Sequence, residues 1–476
     1  MNKIIASFCL LISFGIHAQG DTTYLYLSEL IEIAKVNHPI LKQAYLQEEL
    51  AEAQLRQARG AFDPKIQSSY DAKQFKDKTY YDKFYNVLKV PVWFPIDPKI
   101  EVYRNEGDQL NPESYVGSTT DFWQISTGVS IPIGKGLFID ERRMLVKQAK
   151  LYGTLAEAEQ VKIANKTLLN ITKAYWNWYH AYTKFTLINQ SKEIAEEVFK
   201  RVKLDYGFGE VAVIDTVQAK ITYQTRLADY EKAKLDLLQA RLGISIHLWQ
   251  EGNVPLILDE LAIPSRESAI GIVPNDSTIN DLILWANENH PEILKLTTKE
   301  QQLEVEQRWN RENLKPELNL SYSLVDAPFS RDGVESPEWQ ENYKIGMDFS
   351  IPLLLRKERG KLQKTRVYKE SIGFDLDQKR QEVITGIQAS YAELKTNEIL
   401  TNQYEEITSN YDRLFKAEVF NLESGESDLF KLNVQQDKYI SAMIKYLDVL
   451  VKFEKLKAEL PYSVGLPYLD YMKMYE

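Results

Sequence analysis

Short motifs recurring in a fixed order constrain this chain more than any other feature. Asn37-His38-Pro39 heads a helical pattern ending near Arg59, and Pro64-Lys65-Ile66 opens an alternating segment; Asn289-His290-Pro291 and Pro316-Glu317-Leu318 repeat both 252 residues later. Ser130-Ile131-Pro132 returns as Ser350-Ile351-Pro352 at an offset of 220, and Gly209-Glu210 returns as Gly425-Glu426 at 216. The order holds while the offset changes only twice, which predicts an internal duplication into units spanning 19–251 and 279–461. A linker over 252–278, with prolines at 255, 264 and 274, joins them, and a tail covers 462–476. The larger offset change, 32 residues, lies between Pro64 and Ser130, so the first unit carries the longer excursion. A loop accommodates such an insertion at small entropic cost.

Each unit reads as a helix, a hairpin, a long helix and a return helix. Leu41, Ala44, Ala51, Leu55 and Ala58 mark an amphipathic helix, and the prolines at 39 and 291 suit the first helical position. Two-residue alternation predicts strands with one apolar and one polar face, in hairpins over 64–132 and 316–352. Leu318, Leu320, Tyr322 and Leu324 alternate with Asn319, Ser321 and Ser323, and Tyr343, Ile345, Met347 and Phe349 alternate with Lys344, Gly346 and Asp348. Four such strands cannot close around anything, and open edges are not tolerated in hydrocarbon, so a membrane role requires several copies to share one barrel. The insert from about 76 to 120, rich in tyrosine and with prolines at 91, 95 and 98, reads as a structured outer loop.

Proline-free helical patterns over about 135–206 and 356–422 are roughly 100 Å long, beyond the span of a globular domain. Return helices follow at about 211–248 and 426–460, with Gly207, Gly209 and Gly425 in the turns between and Pro461 and Pro467 ending the last. In the first return helix Ile221, Ala228, Leu235 and Leu242 form one heptad column, and Tyr223, Tyr230, Leu237 and Ile244 form another about 200° around the helix. The second keeps both, as Asp437, Ile444, Val451 and Ala458 and as Tyr439, Tyr446, Phe453 and Leu460. Columns on opposed flanks predict a helix gripped from both sides, as in the wall of a tube.

Met1-Asn2-Lys3, the apolar run Ile4 to Ile16 and His17-Ala18-Gln19 read as a secretory signal peptide over 1–18. The only cysteine, Cys9, falls inside it, so the predicted mature chain has no thiol chemistry. Losing Lys3 leaves 57 basic against 68 acidic residues, a net charge of −11 that argues against nucleic acid as a partner. His38, His180, His247 and His290 are scattered, two of them ahead of a repeated proline, which favours capping or packing over a metal. No catalytic set, cofactor motif or metal spacing stands out, so the chain reads as a non-enzyme without cofactors. Tyr175, Trp178, Tyr179 and Tyr182 share one helix face and read as helix packing.

The paired motifs, Asn37-His38-Pro39 with Asn289-His290-Pro291, Ser130-Ile131-Pro132 with Ser350-Ile351-Pro352, and the Gly209 and Gly425 turns, resemble those of the TolC-like bacterial outer-membrane efflux family. The resemblance covers essentially the whole mature chain. It implies an α+β membrane protein and a homotrimer, in which four strands per chain form one twelve-stranded barrel in outer-membrane lipid, continued by a coiled-coil helical tunnel across the periplasm. It further implies a passive duct of a tripartite efflux or type I secretion system, serving a periplasmic adaptor and an inner-membrane pump of the RND, ABC or MFS type. Adaptor contacts are then expected at Gly207, Gly209, Glu210, Gly425 and Glu426, and the periplasmic gate at Asp215, Asp428, Lys431 and Asp437. Lys431 stands where the family's second unit usually has an acid. The rival is a structural or adhesive periplasmic coiled coil, which would have no use for two amphipathic hairpins.

Overall fold

The computed structural model of the chain describes residues 23–111, 123–267, 273–330, 333–334 and 342–467. The predicted presequence with Cys9, the insert's last residues 112–120 and the tail beyond 467 lie outside the described residues. Strand β1 (Thr23–Leu25) leads into helices α1 (Leu27–Asn37) and α2 (Pro39–Arg59), and a 3-10 turn over Gly60–Phe62 turns the chain into the sheet. Strands β2 (Lys65–Phe75), β3 (Lys78–Lys89), β4 (Asp97–Glu106) and β5 (Trp123–Pro132) follow, then the paired helices α3 (Glu141–Phe208) and α4 (Val213–Ser245). Strands β6 (Trp249–Gln250) and β7 (Val254–Pro255) make a minimal hairpin, and β8 (Ala262–Pro264) pairs in parallel with β1. The second half then gives α5 (Asp276–Asn289), α6 (Pro291–Glu312), β9 (Glu317–Ser330), β10 (Gly333–Val334), β11 (Tyr343–Ser350), α7 (Arg356–Glu423) and α8 (Leu429–Val464).

Both long helices have 68 residues, about 100 Å of rise. Neither could stand alone at that length; α3 packs on α2, α4, α6 and α8, and α7 on α5, α6 and α8. The main core forms where the short helices meet them, around the fully buried Tyr175, Trp176 and Trp178. The Tyr175 hydroxyl lies 2.9 Å from the Leu25 carbonyl and 2.8 Å from that of Ser265, tying α3 to both short parallel strands.

The structure corrects four sequence expectations. The sheet has six long strands in antiparallel order β2–β3–β4–β5–β9–β11, where four were expected, because the insert is paired into it. Its hairpin turn, Lys76-Asp77, has both residues at positive φ (50° and 59°), the mirror-image turn whose twist suits two strands. The first long helix starts at Glu141 instead of about 135, because Asp140 accepts from the Arg143 amide at 2.8 Å as its N-cap. Gly207 lies within α3, and Gly209 alone takes the left-handed conformation (φ 82°) that ends it. Pro461 does not end α8. It sits in the last turn, where one missing N–H is tolerated, and the helix runs on to Gly465 at φ 78°.

Gly465 meets the second His-Pro motif at close quarters. A Cβ there would come within 2.5 Å of the Pro291 ring and 2.7 Å of the His290 ring, in a backbone conformation that side chains disfavour. Gly465→Ala is expected to destabilise the chain by about 2–4 kcal/mol, from the left-handed penalty and local overpacking together. A thermal melt in detergent checks this: an unchanged midpoint would mean that the junction yields freely.

Candidate functional site

The sheet reverses the usual rule of burial. Pairing places Ile125, Thr127 and Val129 of β5 on the same face as Leu320, Tyr322 and Leu324 of β9 and Tyr343, Ile345, Met347 and Phe349 of β11. Ile66, Ile100, Leu320, Tyr322, Ile345, Met347 and Phe349 of that face are exposed, from 38% at Leu320 to 77% at Ile66, while Ile125, Val129 and Leu324 are half-buried. On the opposite face Gln124, Ser126 and Ser323 are buried. A water-soluble sheet hides its apolar face, whereas a contiguous exposed apolar band backed by a polar face suits strands between lipid and an aqueous lumen. Among the described residues no helix is long and apolar enough to cross a membrane.

Below the sheet the chain turns sharply into the helices. Ser130, Ile131 and Pro132 are the last residues of β5; Ser350 ends β11, with Ile351 and Pro352 in the connection to α7. Gly134 is required by contact, since a Cβ there would lie 2.0 Å from the Pro316 carbonyl oxygen. Arg143, buried, donates to Asp140 and to the carbonyls of Gly136 and Leu137, while Arg142 bridges Asp140 and Asp97, both at 2.9 Å. Burial opposes the charge on Asp140, but the Arg143 amide and both guanidinium groups hold its carboxyl below the usual range. The strand-to-helix corner is thus fixed by charge-assisted bonds.

The repeated Asn-His-Pro motifs act as helix junctions. Asn37 and Asn289 close α1 and α5, Pro39 and Pro291 open α2 and α6, and the histidine between caps the next helix. His38 Nδ1 accepts from the Ile40 amide at 3.3 Å, and His290 Nδ1 from the Glu292 amide at 3.2 Å. His38 Nε2 also stands 3.3 Å from His247 Nδ1, with the rings stacked. Because His38 Nδ1 is an acceptor, its proton is on Nε2 and is donated to His247. Protonating either capping nitrogen would turn it against an amide donor. Burial, helped by neighbouring His247, lowers the His38 pKa to about 4, and burial first lowers that of His290 to about 4; burial also lowers that of His247.

These shifts set a pH window. Above the ordinary value of 6.5 the imidazoles are neutral in folded and unfolded chains alike, and the caps contribute fully. Below it the unfolded chain takes up protons that the folded chain refuses, so stability falls from about pH 6.5 down to about pH 4. The melting temperature is expected to drop across this window, and His290→Gln, which keeps an acceptor, to flatten the drop. An equal drop in the variant would assign the acid sensitivity to other groups.

At the far end of the long helices, each turn is closed by its own backbone. The Glu210 amide donates to the Asp205 carbonyl at 3.0 Å, and the Glu426 amide to that of Asn421 at 2.9 Å beside Gly425 at φ 78°. Asp215 accepts from the Ala212 amide at 3.0 Å, and Asp428 from the Lys431 amide at 2.9 Å, so both carboxylates cap return helices. The Lys431 ammonium lies 3.8 Å from Asp428. Asp437 pairs with Arg226, which joins α8 to α4 and also faces Asp229 at 3.5 Å. Sequence reasoning missed Arg226, although it stands 211 residues before Asp437, close to the offset of the turns. A cavity of about 430 Å³ opens between α3, α4 and α8 here, with Val202, Asp215, Ala219, Asp428 and Gln436 in its walls. Phe208, Ile214, Phe420 and Phe430 are exposed around the tip.

The two return helices differ in their seams. On α8 the C-terminal halves of both heptad columns are covered: Val451 and Ala458 on one flank, and Leu460 on the other with Tyr446 above it, are buried, while Asp437 stays exposed. On α4 the tyrosine column packs on α3, with Tyr223 stacked on Phe199 and Tyr230 against Phe185. The column of Ile221, Ala228, Leu235 and Leu242 is exposed along its length.

A family model described as outer membrane efflux protein matches residues 30–245. Those residues belong to the outer membrane efflux protein family. No curated protein matches the chain in sequence. The outer membrane efflux protein fold extends over both halves. The Campylobacter jejuni CmeC outer membrane channel superimposes with a TM-score of 0.65 at 15% identity, covering 92% of this chain and 85% of that one. The open-state Neisseria gonorrhoeae MtrE outer membrane channel gives 0.64 at 14%, covering 93% and 89%. The Vibrio cholerae outer membrane protein VceC gives 0.63 at 13%, covering 93% and 96%. The fold is thus that of outer membrane channel proteins.

Proposed function

We propose that this chain is the outer-membrane duct of a tripartite efflux or type I secretion system, and that three copies form the tube. The inverted sheet carries the reading, because an exposed apolar face over a buried polar one has no role in a periplasmic spacer. The bare column on α4 supports the assembly. On α8 the equivalent column is covered within the chain, where α8 packs on α3. The bare α4 column then seats on the next copy's α7, whose Phe374, Ile399, Ile407 and Leu414 are exposed. One chain presents both surfaces, so the contact is head-to-tail and closes into a ring. Three copies, the number implied by the family resemblance, give a tunnel wall of twelve long and return helices.

In this reading the duct lies in the outer membrane and reaches into the periplasm; it carries substrate without chemistry or an energy source of its own. The tip around Gly209, Glu210, Gly425 and Glu426, with Phe208, Ile214, Phe420 and Phe430 exposed beside it, receives a periplasmic adaptor linked to an inner-membrane pump. The gate lies just behind, where Arg226 and Asp437 hold α4 against α8 and Asp215, Asp428 and Lys431 fix the return-helix starts. The test is reconstitution of the full mature chain in planar bilayers, with imaging of the purified protein. The native protein is expected to be a trimer of low conductance. Asp437→Asn, which frees Arg226, is expected to raise conductance several-fold. A monomer without a central channel would refute the duct; equal conductances would refute this gate.

A further inference from the structure

We propose that β3 and β4 are themselves membrane strands, so that each copy contributes six strands and the closed pore has eighteen, with outer-membrane lipid against the whole apolar face. This rests on the duct reading but not on any property of the resemblance, which implies four strands per chain.

Hydrogen bonding carries the first part of the case. β3 pairs with β4 without a break from Asp82↔Glu106 to Lys89↔Lys99, and β4 with β5 from Asp97↔Ser130 to Arg104↔Trp123. The hairpin therefore stands between β2 and β5 in the sheet, and β2 has β3 as its sole strand partner among the described residues. Lifting the hairpin out of the wall would strip β2 of every ladder bond it makes within its own chain. Such a loss is prohibitive in hydrocarbon.

The faces agree. Following the register, Leu88 and Phe84 of β3 and Ile100 and Val102 of β4 fall on the face of Ile66 and Val129. Lys83, Lys99 and Glu101 fall with Ser126 and Gly128 on the other, where Tyr85 donates to Glu101 at 2.7 Å. A one-residue slip would exchange the two sets, so the pattern selects this register. The charges of β3 and β4 on the apolar face, Asp82, Arg104 and Glu106, gather toward the outer end of the hairpin. There Arg104 pairs with Glu106 at 2.9 Å, and Asp82 accepts from Tyr70 at 3.0 Å. With 12 and 10 residues, β3 and β4 have the length a tilted spanning strand requires, about 9–11 residues.

Closure follows from parity. Six antiparallel strands leave β2 and β11 running in opposite directions, so β11 of one copy can pair antiparallel with β2 of the next. Every residue of β2 and all but one of β11 are exposed, which leaves both edges open to a second copy. Since barrel diameter grows roughly in proportion to strand number, eighteen strands give an opening roughly half as wide again as twelve.

Spin labels decide the matter. In a Cys9→Ser background, Val102→Cys reports the proposed lipid face of β4, Tyr103→Cys its lumen face, and Ile345→Cys the lipid face of β11. Each trimeric variant is labelled, reconstituted into phospholipid vesicles and exposed to oxygen, which partitions into lipid, and to a water-soluble nickel chelate. The labels at 102 and 345 are expected to favour oxygen over nickel by several-fold more than the label at 103. If 345 reads lipid while 102 and 103 both read water, the hairpin lies outside the wall and the proposal falls, with the duct intact. If 345 also reads water and the vesicles show no channel current, the duct reading itself fails. Imaging that resolves twelve wall strands in place of eighteen would overturn the proposal equally.

Discussion

Ile345→Arg is expected to abolish assembly of the duct in the outer membrane. Ile345 lies near the middle of β11, paired with Tyr322, and its side chain stands on the exposed apolar face. Arginine at the bilayer midplane costs about 2–4 kcal/mol in a transmembrane barrel, and the proposed symmetric trimer would bear that cost in every copy. The neighbouring Lys344 faces the other side of the sheet, so Lys344→Arg, an equal change of bulk next door, is expected to be silent. Fractionation and heat-resistant trimer on gels provide the measurement. Normal amounts of Ile345→Arg trimer in the outer membrane would mean that this face does not meet lipid.

Replacing Leu235 and Leu242 together with glutamate is expected to yield folded monomer. Both leucines are about half exposed in the single chain, so the substitutions cost little before assembly. In the ring each would bury a carboxylate against the apolar face of α7 in the adjoining copy, a desolvation penalty that the seam cannot offset. The matching pair on α8, Val451 and Ala458, lies inside the chain. Glutamates there are expected to unfold the chain instead of dissociating it. Size analysis with circular dichroism separates the two outcomes. If the α4 variant remained a trimer, that column would not be the seam between copies.

The helical parts were legible because their signals are long and redundant. The second long helix runs Arg356–Glu423 against a sequence-predicted 356–422, and the first return helix Val213–Ser245 against 211–248. Proline-free periodicity over dozens of residues leaves few alternatives. The insert was illegible for a chemical reason. Phe84 lies on one face of β3 and Tyr81 and Tyr85 on the other, so aromatic residues on both sides mask the alternation that marked β9 and β11. Pro98, which read as a loop residue, occupies the second position of β4, where a missing donor costs little. The turn carboxylates are a different case. Spacing placed Asp215 and Asp428 at the turns, but only coordinates show them accepting backbone amides. The Arg226–Asp437 pair needed the lateral contact of α4 and α8, which no local pattern encodes.

The unequal seams of α4 and α8 give assembly an order. The α8 seam closes within one chain, so it forms at the same high effective concentration however few copies the cell exports. In the proposed assembly the α4 seam is bimolecular and follows mass action. In that assembly a single chain can therefore complete half of its share of the wall alone. In the proposed trimer the other half waits on the arrival of neighbours, and pore formation is then expected to depend cooperatively on expression level.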